Sequence, residues 1–131
     1  MVVLDTHVWL WWLHSPEKLS PAAAERITKE LKDGFLVISA ISVWEIAVKV
    51  QLGKLAIPTD LYRWYELASN YPATVVEPLS PLDAIASTLL PGDFHKDPAD
   101  RIIIALARRH ASDLITCDRA ILAYEHVKTI W

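Results

Sequence analysis

Four acidic residues stand where the chain changes from one kind of local structure to another: Asp5, Glu45, Asp100 and Asp118. Asp5 follows Val2-Val3-Leu4, an apolar run of strand character, and Asp118 follows a second such run, Leu114-Ile115-Thr116. Glu45 falls in the first turn of a helix expected over 42–51, and Asp100 in the first turn of one expected over 98–111. In an open parallel sheet, ligands gather outside the carboxyl ends of the strands, and chain order maps all four acids to that edge. Carboxylates brought together repel and raise one another's proton affinity. A divalent cation relieves that repulsion. Hard oxygen donors with no His or Cys partner point to Mg2+, with Mn2+ as a substitute, rather than to zinc. Such an ion acidifies and orients a bound water and steadies a leaving oxygen, which is the chemistry of in-line phosphodiester hydrolysis.

Each acid also has a purely structural reading. Ser42-Val43-Trp44-Glu45 fits a capping box, and Glu45 and Lys49 are spaced for a helix ion pair. Asp97-Pro98-Ala99-Asp100 fits a capped helix start with an acid in the first turn. Asp118 fits an N-cap and Asp5 a turn. Two features resist this account. Glu45 is embedded between Trp44 and Ile46 in an apolar helix, and capping does not explain why Asp5 ends an apolar strand.

The elements that must position these acids alternate in type. Strands are expected over 2–4, 35–39, 73–77, 114–116 and 127–130. Helices are expected over about 6–14, 21–32, 42–51, 60–69, 81–90 and 98–111, with a short one opening at Asp118. Ser20-Pro21, Ser80-Pro81 and Asp97-Pro98 each supply a cap followed by proline at the first helical position. Strands alternating with helices imply parallel pairing through right-handed crossovers. The expected fold class is α/β, in one domain over 1–131 with no internal repeat or linker.

Bulk properties narrow the function. A chain of 131 residues, 53% of them hydrophobic, suits one packed core and argues against disorder. The apolar run over 8–13 is far shorter than the roughly 20 residues that cross a bilayer, so no membrane role is expected. There is no basic leader with an apolar stretch and cleavage site. The lone cysteine, Cys117, forms neither an internal disulfide nor a zinc cluster and reads as a small buried apolar residue. A cytoplasmic location is expected. The net charge of −3 argues against a module held to nucleic acid by bulk charge. A bound polyanion would have to meet local cations, for which Lys49, Lys54, Arg63, Arg101, Arg108 and Arg109 are candidates.

Four segments together resemble one family. They are Leu4-Asp5-Thr6-His7-Val8-Trp9-Leu10-Trp11, Ser42-Val43-Trp44-Glu45-Ile46-Ala47-Val48-Lys49, His95-Lys96-Asp97-Pro98-Ala99-Asp100-Arg101-Ile102-Ile103-Ile104-Ala105 and Leu114-Ile115-Thr116-Cys117-Asp118. In this order and spacing the chain resembles a PIN-domain ribonuclease, the toxin of a VapBC-type toxin–antitoxin pair. The resemblance implies a PIN-like three-layer sandwich with a central sheet of about five parallel strands. It implies magnesium-dependent endonucleolytic cleavage of RNA, with metal roles, direct or through water, for Asp5, Glu45, Asp100 and Asp118. It places Thr116 where a hydroxyl supports the site.

Other residues are read beside that resemblance. Thr6 is placed to donate to Asp5. Asp97 is a cap first and a metal helper second. Arg101 is a contact to RNA phosphate, a tie to a neighbouring carboxylate, or a structural ion pair. His95 reads as an exposed loop side chain rather than a catalytic base. The family also suggests RNA as substrate, a cognate antitoxin and a second copy of the chain as partners. Trp9, Trp11 and Trp12 span too much of one helix to share a small core, so a partner surface is expected there. The other reading lays Trp11 or Trp12 under the turn at 15–19.

Two other classes fit less well. A magnesium-binding phosphate-handling or signalling domain of the receiver kind wants paired acids after the first strand and a lysine late in the sheet. Here Asp5 stands alone and Lys128 lies within the last strand. A non-catalytic interaction protein of PIN fold has no need for four intact acids.

Overall fold

Val2, Val3 and Leu4 are completely buried, because strand β1 (Val2–Leu4) runs through the middle of a sheet covered on both faces. The computed structural model describes residues 1–95 and 97–131. It joins β1 to β2 (Leu36–Ser39), β3 (Thr74–Glu77), β4 (Leu114–Ile115) and β5 (Thr129–Ile130) in the order β3-β2-β1-β4-β5. Every pairing is parallel, with Leu4 opposite Ile38 on one side and Ile115 on the other. Side chains alternate across the pleat. Val2, Leu4, Leu36 and Ile38 therefore pack with Trp9, Ala23 and Ile27 on one face. Val3, Val37 and Leu114 pack with Ile103 and Ile104 on the other. The result is the expected three-layer α/β sandwich around five parallel strands.

The covering helices are α1 (Thr6–His14), α2 (Pro21–Asp33), α3 (Ala40–Gln51), α4 (Leu61–Ser69), α5 (Pro81–Thr88), α6 (Pro98–Arg109) and α7 (Arg119–Leu122), with a 3₁₀ turn at Pro16–Lys18. Ser20, Ser80 and Asp97 cap α2, α5 and α6 as their sequences predict, each ahead of a proline. The start of α3 is a correction. It begins at Ala40, capped by Ser39, whose hydroxyl accepts from the Ile41 amide at 3.2 Å. Ser42 is fully buried inside the helix, and no capping box forms there. Strands β4 and β5 have two residues each, shorter than expected, and α5 ends at Thr88.

The rings of the α1 tryptophans pack against other aromatic rings of the chain, although the buried Trp9 Nε1 has no hydrogen-bond partner among the described residues. Trp9 is fully buried and meets Trp64 edge-on at 5.2 Å between ring centroids. Trp12 meets Tyr71 at 4.9 Å and Trp11 meets Trp131 at 5.9 Å. Lys18 of the 3₁₀ turn approaches the Trp11 ring. The partner surface expected on α1 gives way to exposed apolar residues elsewhere, among them Trp44 on α3, Tyr62 on α4 and Leu82 and Leu89 beside α6. Cys117 is half-buried rather than buried. No helix among the described residues is long and apolar enough to cross a membrane.

Several cations proposed for a polyanion are committed to the fold. Arg109 grips the buried Asp83 through two bonds of 2.7 and 3.0 Å and reaches Glu77 at 2.6 Å. Arg108 donates to the carbonyl of His126, and Arg63 lies 3.4 Å from Glu66. Arg101 pairs with no carboxylate within 4.0 Å among the described residues. It donates to the carbonyls of Ser87 at 2.7 Å, Phe94 at 3.2 Å and His95 at 3.3 Å. None of its three sequence-based readings describes that role, which is to pin the loop before α6.

Removing the Arg109 fork leaves Asp83 buried and unpaired. Arg109→Met should lower unfolding stability by about 1–3 kcal/mol, a range kept modest because the guanidinium itself is partly exposed. Urea denaturation checks this.

Candidate active site

The strand order reverses at β1, with β2 on one side and β4 on the other, so a crevice opens at the carboxyl ends of β1 and β4. Asp5 sits in it. Its amide donates to the carbonyl of Ile115 at 3.0 Å, which extends the β1–β4 ladder by one bond. Its side chain is 6% exposed and accepts twice. Oδ1 takes the Thr6 amide at 2.8 Å, and Oδ2 takes the Thr116 hydroxyl at 2.7 Å. Thr116, itself fully buried, also accepts from the Asp118 amide at 3.1 Å. One hydroxyl thus ties Asp5 to the turn that carries Asp118. Asp118 caps α7 through Oδ1, which accepts from Ile121 at 3.1 Å. Capping engages only one of its two oxygens.

Glu45 arrives from α3. Because that helix starts at Ala40, Glu45 lies in its second turn and not its first. Its Oε1 accepts from the Thr6 hydroxyl at 2.6 Å, and that hydroxyl also lies 2.8 Å from Ser42 Oγ. Thr6 therefore serves Asp5 through its amide and Glu45 through its side chain. The donation to the first acid expected from the sequence is thus made by the Thr6 backbone. The Glu45–Lys49 ion pair is also absent. Lys49 Nζ lies 3.2 Å from His7 Nε2 instead. Ser42, which sequence reasoning treated only as a cap, was findable as a small polar residue on the same helical face as Glu45.

Asp100 comes from the first turn of α6, where its amide donates to Asp97 Oδ1 at 3.1 Å. Asp97 is exposed and acts as the cap, the first of its two readings. Asp100 Oδ2 lies 3.1 Å from His95 Nε2. His95, Asp100 and Asp118 each offer a donor atom within 4.8 Å of the others. His95 is exposed, as its sequence reading has it, and it also stands close enough to Asp100 and Asp118 to join them as a candidate ligand, which that reading did not include. The signal was its place in the loop that feeds the Asp97–Asp100 helix start.

Electrostatics join the acids into one site. Burial, then the charges of Asp97, Asp5, Asp118 and Glu45, push Asp100 up to about 7. Burial also raises Asp5, against the hydrogen bonds from Thr116 and Thr6, and raises Glu45, against that from Thr6. Asp100 and Asp118 meet within 4.8 Å, and the charges of Asp5 and Glu45 reach Asp100 strongly enough to raise it. A divalent cation fits this donor set. Carboxylates suit Mg2+ and Mn2+, and an imidazole beside them is a better partner for Mn2+ than for Mg2+.

A parallel sheet with a switch point lined by acids defines a class, and the sequence comparison agrees: the chain belongs to the PIN-domain family, whose pattern matches residues 2–127. It is 34% identical over 132 aligned positions to Ribonuclease VapC22 of Mycobacterium tuberculosis (strain ATCC 25618 / H37Rv), across 99% of this chain and 98% of that one. Among solved structures it resembles VapBC2 from Rickettsia felis bound to a DNA fragment from their promoter, with TM-score 0.71 and 12% identity, covering 99% of this chain and 98% of that one. It also resembles a toxin–antitoxin complex from Klebsiella pneumoniae, with TM-score 0.62 and 17% identity, covering 100% and 97%. At such identities these structures establish the fold.

The Asp100 shift has a stability consequence without metal. Its carboxyl titrates near 7 in the folded chain against an ordinary value of 3.8. Between those values the folded chain holds a proton that the unfolded chain has released, so stability falls as pH rises through that window. Asp100→Asn should stabilise the metal-free protein by about 1–3 kcal/mol near about pH 8, and the gain should vanish near about pH 4. Chemical denaturation in chelator at the two pH values measures it. An equal effect at both would remove the electrostatic explanation.

Proposed function

We propose that this protein is a metal-dependent endoribonuclease that acts as the toxin of a toxin–antitoxin pair. What supports the reading is the arrangement of acids near the β1–β4 switch point: Asp100 within 4.8 Å of Asp118, Asp5 tied to the Asp118 turn through Thr116, and Glu45 held by Thr6. The name of the 34%-identical relative, Ribonuclease VapC22, supports the same activity. In this reading Asp5, Asp100 and Asp118 hold a Mg2+ ion, for which Mn2+ substitutes, and Glu45 completes the site directly or through water. The bound ion would supply an acidified water and charge neutralisation at the scissile phosphate.

The chain's own contribution is orientation. Thr116 and the Thr6 amide fix both oxygens of Asp5, each of which keeps a lone pair to spare. The Thr6 hydroxyl fixes Glu45 Oε1 and leaves Oε2 for a water or an ion. Asp97 shapes the start of α6 and adds negative charge near Asp100. Arg101 holds the loop bearing His95. A cytoplasmic location accords with the single unpaired cysteine.

The activity test is direct. Antitoxin-free protein should cleave RNA with Mg2+ or Mn2+ and stop in chelator. Asp5→Asn and Glu45→Gln should each reduce the rate by about 10²-fold or more while circular dichroism stays unchanged. A folded, metal-supplied protein that leaves total cellular RNA intact would overturn the reading.

The partner assignments rest on exposed apolar surface. A groove of about 380 Å³ between α3 and α4, lined by Val43, Ala47, Leu61, Tyr62 and Tyr65, is proposed to receive the antitoxin. The exposed face of α5, with Leu82, Ile85 and Leu89, is proposed as the homodimer contact. Tyr62→Asp should weaken antitoxin capture in co-purification, and Leu82→Asp should shift light-scattering mass from dimer to monomer. If both variants behave as wild type, the surfaces are wrongly assigned.

A further inference from the structure

A second cavity, of about 320 Å³, opens beside the acids and has the opposite character. Lys18, Lys49 and Lys54 line it together with His7, His14 and Trp11, and no carboxylate does. In a chain of net charge −3, three lysines around one pocket are a local concentration. Among the described residues, none of the three has a carboxylate partner within 4.0 Å. Arg26, Arg63 and Arg109, by contrast, are all paired. The pocket lysines are therefore available to a ligand.

Two residues of the pocket lining lie close along the chain to acids of the cluster. His7 lies two positions beyond Asp5 on α1, and Lys49 lies one helical turn beyond Glu45 on α3. Their side chains touch, with Lys49 Nζ 3.2 Å from His7 Nε2. Since an ammonium only donates, His7 accepts and helps hold Lys49 at the rim. Lys54 is carried by the turn after α3, whose amide donates to the Lys49 carbonyl at 2.8 Å. Trp11 adds a partly exposed indole next to His7, 6.0 Å between ring centroids.

We propose that this pocket docks backbone phosphates of the RNA strand next to the scissile bond, with Trp11 as a platform for an adjoining base. The proposal rests on the ribonuclease reading. Lysines bind phosphate as point charges and carry no sequence information, whereas an aromatic face takes any unpaired base. The pocket would thus give the enzyme a hold on single-stranded RNA and leave selectivity to other contacts. It also answers the charge problem: the acids hold metal, and the strand's negative charge is met one helical turn away.

The test measures binding apart from cleavage. Protein carrying Asp5→Asn, loaded with Mg2+, is titrated with a short fluorescein-labelled single-stranded RNA across a range of salt. Adding Lys18→Gln, Lys49→Gln and Lys54→Gln should raise Kd about tenfold or more and flatten the log Kd against log salt slope by about 2. Trp11→Leu should raise Kd several-fold with the slope unchanged. The control replaces Lys29, Lys32 and Lys128, exposed on other faces, by Gln. The proposal is overturned if the control weakens binding as much as the pocket variant, which would mean bulk charge alone. It is also overturned if the pocket variant binds RNA normally, including where it has instead lost capture of the antitoxin. Failure of the protein with Asp5 intact to cleave RNA would strike the ribonuclease reading separately, because binding is read in the cleavage-silent Asp5→Asn background.

Discussion

The Thr116–Asp5 hydrogen bond is the interaction on which the site depends. Asp5 is a carboxylate at the end of a completely buried strand, and burial by itself drives it toward the neutral form. Two donors oppose that, the Thr6 amide and the Thr116 hydroxyl, and they come from the two segments that meet at the β1–β4 joint. The same hydroxyl receives the Asp118 amide, and Thr6 reaches across to Glu45. Two threonines therefore set the relative positions of three acids drawn from three separate stretches of chain. Asp100 is placed differently, by the capped start of α6, and meets the others through charge rather than through shared hydrogen bonds.

Charge is divided by chemistry across the molecule. Arg26, Arg63 and Arg109 are bound to carboxylates, while Arg101 and Arg108 donate to carbonyls, so these guanidinium groups brace the fold. Their planar forks suit that use better than a lysine would. Lysines, flexible and strongly hydrated, remain beside the site. The acidic cluster is held in an unfavourable electrostatic state, with like charges in one crevice and a raised Asp100. That is the state in which a cation binds with the most relief, and it is destabilising when the cation is absent.

Much of this was legible in the sequence because local rules wrote it. Ser20-Pro21, Ser80-Pro81 and Asp97-Pro98 start helices by the same cap chemistry in one dimension as in three. The strand–helix alternation required parallel pairing, and parallel pairing put strand ends on one edge. The misreadings occurred where a residue had an alternative partner that spacing did not favour or that lay far along the chain. Ser42 and Glu45 have the spacing of a capping box, but Ser39 won the cap, because the helix could begin directly after β2. Lys49 had Glu45 one turn away and took His7 from another helix. Trp11 and Trp12 looked surplus on α1 because Trp131 and Tyr71, which pack on them, lie far along the chain.

The sequence alone thus singled out four candidate acids, the segments that carry them, and the alternation that makes the sheet parallel. Spacing, capping and hydrophobic pattern are local, and they survive being read as text. Tertiary structure decided what each acid touches: that Thr6 serves Glu45, that Thr116 joins Asp5 to Asp118, that His95 belongs beside Asp100, and that Arg101 braces a loop. Those contacts span from a few residues to 111 along the chain. The longest of them, Thr116 to Asp5, exists only because β1 and β4 lie side by side, and that adjacency is a property of the folded sheet.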